Sequence, residues 1–311
     1  MNRDKIRKKF ATAILGTYRS IYYFFFNLFQ HQMPIPDKEI KIDIIIPVIE
    51  KDLDILPLCL EGVRKCIQNT IADIYIVAPA KERIIAFASK HHLQFVDEST
   101  ILGYSPKDIR LITNAGTDRS GWIFQQLLKL SGAIGTNRFF AVIDSDHILV
   151  QPHTFIARDR KLVFYQSKEF YYPYYANIKR LIGKYPYEHL SYIAHKMVFD
   201  KEKLSALKAI IESKSTTNQQ WDKLIINSLD REYSSSFSEF ELYGYYTTSK
   251  EKIQLPWKQK ELHKQSSLPS YEDLCRQYAS SYLSVTFPAY LQSPTKDDLN
   301  VSPASPRDIT D

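Results

Sequence analysis

The sequence predicts an α/β protein built on a mostly parallel central sheet flanked by helices. Three observations carry that expectation. Short apolar runs stop at a proline or an acid, as strands buried on both faces do. Between them the apolar spacing switches to that of helices. Strand and helix alternate repeatedly with no clear linker. With 311 residues, 44% apolar and 24% charged, the chain has the balance of a folded protein with a sizeable core.

The first segment, 1–38, begins basic with Lys5, Arg7, Lys8 and Lys9 and ends with Phe24, Phe25, Phe26 and Phe29. Arg19 interrupts its apolar run and no small-residue cleavage site follows, which argues against a secretory signal. A basic aromatic helix suits the headgroup layer of an anionic membrane surface. Packing of the phenylalanines on the body or on a second subunit is the alternative.

The body spans 39–265. Ile42-Asp43-Ile44-Ile45-Ile46 before Pro47 reads as its first strand, and Leu56, Leu60, Val63 and Ile67 as one stripe of a helix. A strand over 73–79, a helix over 81–90 and a shorter strand over 93–96 follow. The spacing of Ile123, Leu127 and Leu130 predicts a helix over 120–130 with Ser120 as a cap, and 139–143 reads as the next buried strand. From 155 to 265 the pattern is irregular and rich in Tyr, Lys and Ser. Helices at 205–211 and 221–229 there predict a wall beside the sheet. Residues 266–284 read as a helical segment and 285–311, with Pro294, Pro303 and Pro306, as a disordered tail.

Forty-one Lys and Arg against 35 Asp and Glu leave a net charge of +6, which fits an anionic partner without naming it. The cations and aromatics form no recognised reading motif, so nucleic acid is not an expected partner. Cys59, Cys66 and Cys275 make neither a disulfide framework nor a metal knuckle, and the cytosolic side is the default.

The strongest local signal is Phe139-Phe140-Ala141-Val142-Ile143-Asp144-Ser145-Asp146-His147, a greasy strand ending in two acids. Carboxylates at that depth need a partner, and Mg²⁺ or Mn²⁺ bridging to a diphosphate supplies one. Asp144 and Asp146 are therefore the expected metal ligands, with Asp144 also at the nucleotide. Asp52-Leu53-Asp54 repeats the spacing just past the first strand, where Asp52 can hold base or ribose or be a plain loop acid. Asn114 and Arg119 precede the helix at Ser120, whose amino end favours anions. Arg119 is expected either at a phosphate or paired with Asp118 on the surface, and Gln125 at polar substrate atoms.

With these residues the chain resembles nucleotide-sugar glycosyltransferases of the GT-A fold over about residues 40 to 265. The resemblance rests on Ile44-Ile45-Ile46-Pro47-Val48 and Asp144-Ser145-Asp146. It extends to a bacterial polysaccharide-biosynthesis subset through Gly121-Trp122-Ile123-Phe124-Gln125-Gln126 and Ser238-Glu239-Phe240-Glu241-Leu242-Tyr243-Gly244. It implies a GT-A-like sheet with an irregular acceptor side, a nucleoside-diphosphate sugar as donor, with Pro47 beside it, and a glycan or lipid-linked glycan as acceptor. A carboxylate next to the incoming hydroxyl removes its proton, giving inversion. Glu239 is the expected base, with Glu241 as competitor. The resemblance also implies His263 as a further metal ligand and His195 and Tyr243 at the acceptor, on the inner face of the cytoplasmic membrane. A metal-dependent nucleotidyltransferase and a noncatalytic glycan-binding protein at a membrane surface are the alternatives.

Overall fold

Every apolar run read as a strand in the first half forms one. In a computed structural model describing residues 3–29, 32–185, 188–216, 218–263 and 267–288, the side chains of 3–13 excepted, these are β1 (Lys41–Pro47), β2 (Thr70–Ala78), β3 (Gln94–Asp97) and β4 (Phe139–Ile143). The later strands are β5 (His147–Leu149), β6 (Leu162–Gln166), β7 (Lys196–Asp200), β8 (Lys252–Pro256), β9 (Gln259–Glu261) and β10 (Ser284–Thr286). The central sheet has the order β3-β2-β1-β4-β7, parallel throughout except that β7 runs antiparallel to β4. Strands β5, β10 and β9 form a second sheet, and β6 and β8 a parallel pair. The mixed edge and flanking helices make a GT-A-like arrangement.

The helices are α1 (Arg3–Leu28), α2 (Leu56–Cys66), α3 (Glu82–Lys90), α4 (Ser99–Leu102), α5 (Pro106–Ile109), α6 (Ser120–Ser131), α7 (Tyr172–Ile182), α8 (Lys201–Ser213), α9 (Trp221–Ser228), α10 (Glu239–Tyr246) and α11 (Tyr271–Tyr278). Helix α2 buries Leu56, Cys59, Leu60, Val63 and Cys66, and both cysteines are free thiols in the core. Gly62 lets it lie directly on β5, since a Cβ there would sit 2.7 Å from the Leu149 carbonyl oxygen. Strand β1 is buried along Ile42 to Pro47, including Asp43, whose carboxylate accepts from the Asn137 backbone and side chain at 2.9 and 2.7 Å. That pair of bonds answers the cost of a buried acid in a strand closed on both faces.

Two expectations change. Residues 285–287 are not tail: β10 sits between β5 and β9, and Val285 and Phe287 are buried in a second small core with Ile55, Ile148, Tyr271 and Leu274. A three-residue strand is too short for its periodicity to register. The rest of the expected tail, 289–311, lies outside the described residues. At the other end, Arg19 docks α1 onto the body. Its buried guanidinium donates to the carbonyls of Glu169 and Glu188 at 2.9 and 3.1 Å and to the Tyr175 hydroxyl at 2.8 Å, and stacks on Phe170 and Tyr175. Tyr18 meets His189 of the body through its hydroxyl at 2.8 Å, while the opposite face, Ile14, Ile21, Phe25 and Leu28, is exposed, as are Phe24 and Phe29, which do not pack on the body.

Candidate active site

The strand order turns at β1, with β2 and β3 on one side and β4 and β7 on the other. The carboxyl ends of β1 and β4 therefore open a crevice of the kind in which open α/β sheets hold ligands. Pro47 closes β1 at this edge, and a 3-10 turn over Glu50–Asp52 brings Asp52 back across it. Asp144 and Asp146 follow β4. Ser145 Oγ donates to Asp52 Oδ2 at 2.8 Å and ties the two strand ends together. Asp54, the partner of Asp52 in the repeated spacing, is exposed.

Asp144 is held from three sides. Its backbone N–H donates to the His195 carbonyl at 3.0 Å, and one carboxylate oxygen lies 3.0 Å from His195 Nδ1. The other accepts from Lys129 Nζ at 2.8 Å. His195 takes this position because antiparallel pairing sets Lys196 beside Ile143, and its backbone adopts φ 56°, a left-handed conformation that a non-glycine residue adopts at a cost. Lys129 also lies 3.0 Å from Glu239 Oε1. The Gln126 amide, with its nitrogen turned to the carboxylate, donates to Glu239 as well. Gln126 and Lys129 stand three apart on α6 and so face the same way.

The charges follow from these contacts. Burial alone would depress the Lys129 ammonium, but Asp144 and Glu239 overcome it and hold the proton more tightly than usual. Burial would likewise raise Asp144, yet the Lys129 charge and the His195 hydrogen bond keep it well below the ordinary carboxylate range. His195 is raised despite its burial because Asp144 favours its cation. Glu239 is raised by burial, against the pull of Lys129. Asp146 is pushed up to about 7, first by burial and then by the charges of Asp144 and Asp52, with His195 opposing.

The crevice thus gathers Asp52, Asp144, Asp146 and Glu239 around one lysine and one histidine. Among the described residues no three metal-binding side chains converge tightly enough to enclose an ion. A magnesium-like ion needs only one or two carboxylates when phosphate oxygens and water complete its shell. Asp146 is raised by burial and by its acidic neighbours Asp144 and Asp52, and this cluster of hard oxygen donors fits such a cation: Asp146 first, with the remaining lone pairs of Asp144.

The other expected residues fall as follows. Both acids of α10 are buried, Glu239 against Lys129 and Gln126, whereas Glu241 accepts from Ser191 Oγ at 2.5 Å, Tyr192 N at 3.2 Å and Tyr175 OH at 3.1 Å. His195, expected at the acceptor, contacts Asp144 instead. Tyr243 does not face an acceptor: it is fully buried against Phe164 and Phe199, and its hydroxyl accepts from Asp200 N at 2.9 Å. Its place in α10 turns it inward, which a tyrosine-rich segment does not disclose. His263 is exposed just past β9, which pairs with β10, the strand whose Thr286 hydroxyl donates to the Asp146 carbonyl at 3.1 Å. Gln125 is half-buried, and it is its neighbour Gln126 that meets Glu239. Asn114 is exposed in a turn and, with Arg119, lies at the far end of α6. Arg119 makes no pair with Asp118, which accepts from Ser120 N at 2.8 Å. Sequence reasoning missed Lys129, whose one signal is a lysine inside Leu127-Leu128-Lys129-Leu130, on a stretch that must be buried.

The fold and crevice define an α/β protein of GT-A-like arrangement with an acidic site at its topological switch point. The chain belongs to the Family of unknown function (DUF6492), which it matches over residues 39–277. No curated protein matches it. Among solved structures it is similar to mouse xyloside xylosyltransferase 1, at 11% identity and a TM-score of 0.44, covering 82% of this chain and 100% of the other. It is also similar to the galactosyltransferase LgtC with donor and acceptor sugar analogues, at 12% identity and a TM-score of 0.41 over 84% and 92% of the two chains. A third is the bifunctional glycosyltransferase WbbM, at 12% and 0.39, covering 82% of this chain and 47% of that one.

Proposed function

We propose that this protein is a metal-dependent glycosyltransferase that moves a sugar from a nucleoside-diphosphate donor to a hydroxyl of a glycan or lipid-linked glycan with inversion. The observation that carries the reading is the acidic crevice at the joined ends of β1 and β4, where Asp146 lies beside Asp144 and Asp52 and Lys129 links Asp144 to Glu239. Asp146 and Asp144 hold the divalent cation, and when bound it neutralises charge on the departing diphosphate. Asp52, fixed by Ser145, holds the nucleoside side of the donor near Pro47. Glu239 takes the proton of the acceptor hydroxyl, and its raised proton affinity suits it to that task. Lys129 and Gln126 orient that carboxylate, while His195 holds Asp144 in place.

The test is a screen of sugar nucleotides with Mg²⁺ or Mn²⁺, reading nucleoside diphosphate release and then acceptor-dependent product. Turnover that Asp146→Asn abolishes is the expected result. Full turnover in that variant without metal overturns the metal site, and a retained anomeric configuration overturns Glu239 as a direct base. Release of pyrophosphate from a nucleoside triphosphate would identify a nucleotidyltransferase instead.

We infer that helix α1 holds this chemistry at an anionic membrane surface. Among the described residues no helix is long and apolar enough to cross a membrane. The exposed stripe of Ile14, Ile21, Phe25 and Leu28, with the basic residues from Arg3 to Lys9 preceding it in sequence, suits a helix lying in the headgroup plane. Sedimentation with vesicles containing anionic lipid, lost in Ile21→Glu/Phe25→Glu, is expected; equal sedimentation of the variant refutes it.

A further inference from the structure

Arg119 carries a buried guanidinium that no acid reaches at ion-pair distance among the described residues. The residue is 7% exposed and its Nε has no hydrogen-bond partner. What it does touch is the face of Trp122, 4.8 Å from the ring centroid. A cation buried at such cost is ordinarily matched by an anion, and the planar fork of arginine matches an oxyanion. The side chain lines a shallow recess, open to solvent on one side, together with Thr113, Tyr233, Ser234 and Ser236. Arg231 brings a second guanidinium to the same wall. The one acid there, Asp230, has a carboxylate oxygen accepting from Glu232 N at 3.0 Å. The pocket also stands at the amino end of α6, where the helix potential favours negative charge.

This is not the diphosphate site of the crevice. Ten residues of α6 separate Arg119 from Lys129, a rise of about 15 Å. The chain nevertheless connects the pocket to the proposed base. Ser236 lines the pocket and Glu239 stands three residues later, so the two are at most about 10 Å apart along the backbone. Because the Glu239 carboxylate meets Lys129, the pocket and the base are on the order of 10–15 Å apart, a distance an extended acceptor can bridge.

We infer that the Arg119 pocket is an anion subsite that holds a phosphate group carried by the acceptor, while the acceptor hydroxyl lies at Glu239. The assignment to the acceptor rests on the glycosyltransferase reading; anion binding by Arg119 does not. Inorganic phosphate is the first probe, titrated calorimetrically into the full chain, and nucleoside diphosphates with Mn²⁺ are the second.

Arg119→Gln is expected to weaken phosphate binding at least about tenfold, as loss of a charge-assisted bidentate contact does, with Arg119→Lys falling between. Phosphate should raise the thermal midpoint of the wild type and not of Arg119→Gln, and Asp146→Asn should bind phosphate as the wild type does. Unaltered phosphate binding in Arg119→Gln overturns the subsite. Equal loss of phosphate and nucleoside diphosphate in that variant assigns the pocket to the donor and overturns the acceptor role. If no nucleoside diphosphate binds any variant while phosphate binding still depends on Arg119, the glycosyltransferase reading fails, the acceptor role falls with it, and the anion site stands.

Discussion

Lys129 carries two carboxylates on one ammonium, and both would be stranded by its loss. Lys129→Met leaves Asp144 and Glu239 buried without their common counterion and should cost about 3–5 kcal/mol in denaturant unfolding. The two acids of α10 separate by the same reasoning. Glu239→Gln removes a proton acceptor and one of the two acids paired with the buried Lys129, and should lower turnover by about 10²–10⁴ whatever stability it also costs. Glu241→Gln withdraws the ionised partner of Ser191, Tyr192 and Tyr175 and should instead destabilise by about 1–3 kcal/mol. Kinetics and unfolding on the pair distinguish them, and the reverse pattern would exchange their roles. Asp144 and Asp146 were legible because acid at the end of an apolar strand is a local pattern, whereas Glu239 entered only through the resemblance carried by Ser238 to Gly244. Lys129, Gln126 and the contact of His195 with Asp144 were not. Each depends on which face of an element meets which neighbour across 15 or more residues of chain.

At the level of elements, the strands of the first half were readable because each is a continuous apolar run, and buried strands and amphipathic helices have different periods. The short β5, β9 and β10, at three residues each, have no period to read and are held by their neighbours. Close approach between elements is likewise silent in sequence until the partner is known. Gly62→Ala should destabilise by about 1–3 kcal/mol, because its Cβ meets the Leu149 backbone, which cannot swing aside as a side chain can. Comparison of chemical unfolding curves checks this, and a neutral effect would mean that α2 does not lie on β5 as described. Helix α1 gives the same lesson. Arg19 reads as a flaw in an apolar helix, yet it forms the contact that turns one face inward and leaves the greasy one outside.

For the whole molecule, buried lysines set a pH dependence. Burial depresses Lys196 to about 7 and Lys208 to about 8. In the unfolded chain both titrate near the ordinary 10.5, so between those values the folded state binds fewer protons and stability rises with pH. The penalty is fully present below about pH 7 and is relieved as pH climbs toward 10.5. Unfolding free energy should therefore increase from pH 7 to 9, and Lys196→Met should flatten the rise; an unchanged slope in the variant would show that Lys196 is not the group responsible.

By itself, the sequence determined the α/β class, the strands and helices that alternate through its first half, and the acids placed at strand ends. Those follow from periodicity and from the cost of burying charge, both of which act over a few neighbouring residues. Only the tertiary structure decided that Asp52 joins Asp144 through Ser145, that Lys129 spans Asp144 and Glu239, that Tyr243 is core, and that Arg119 stands alone in a pocket of its own. Those depend on strand order and helix rotation, which bring distant segments together and leave no periodic trace in the chain.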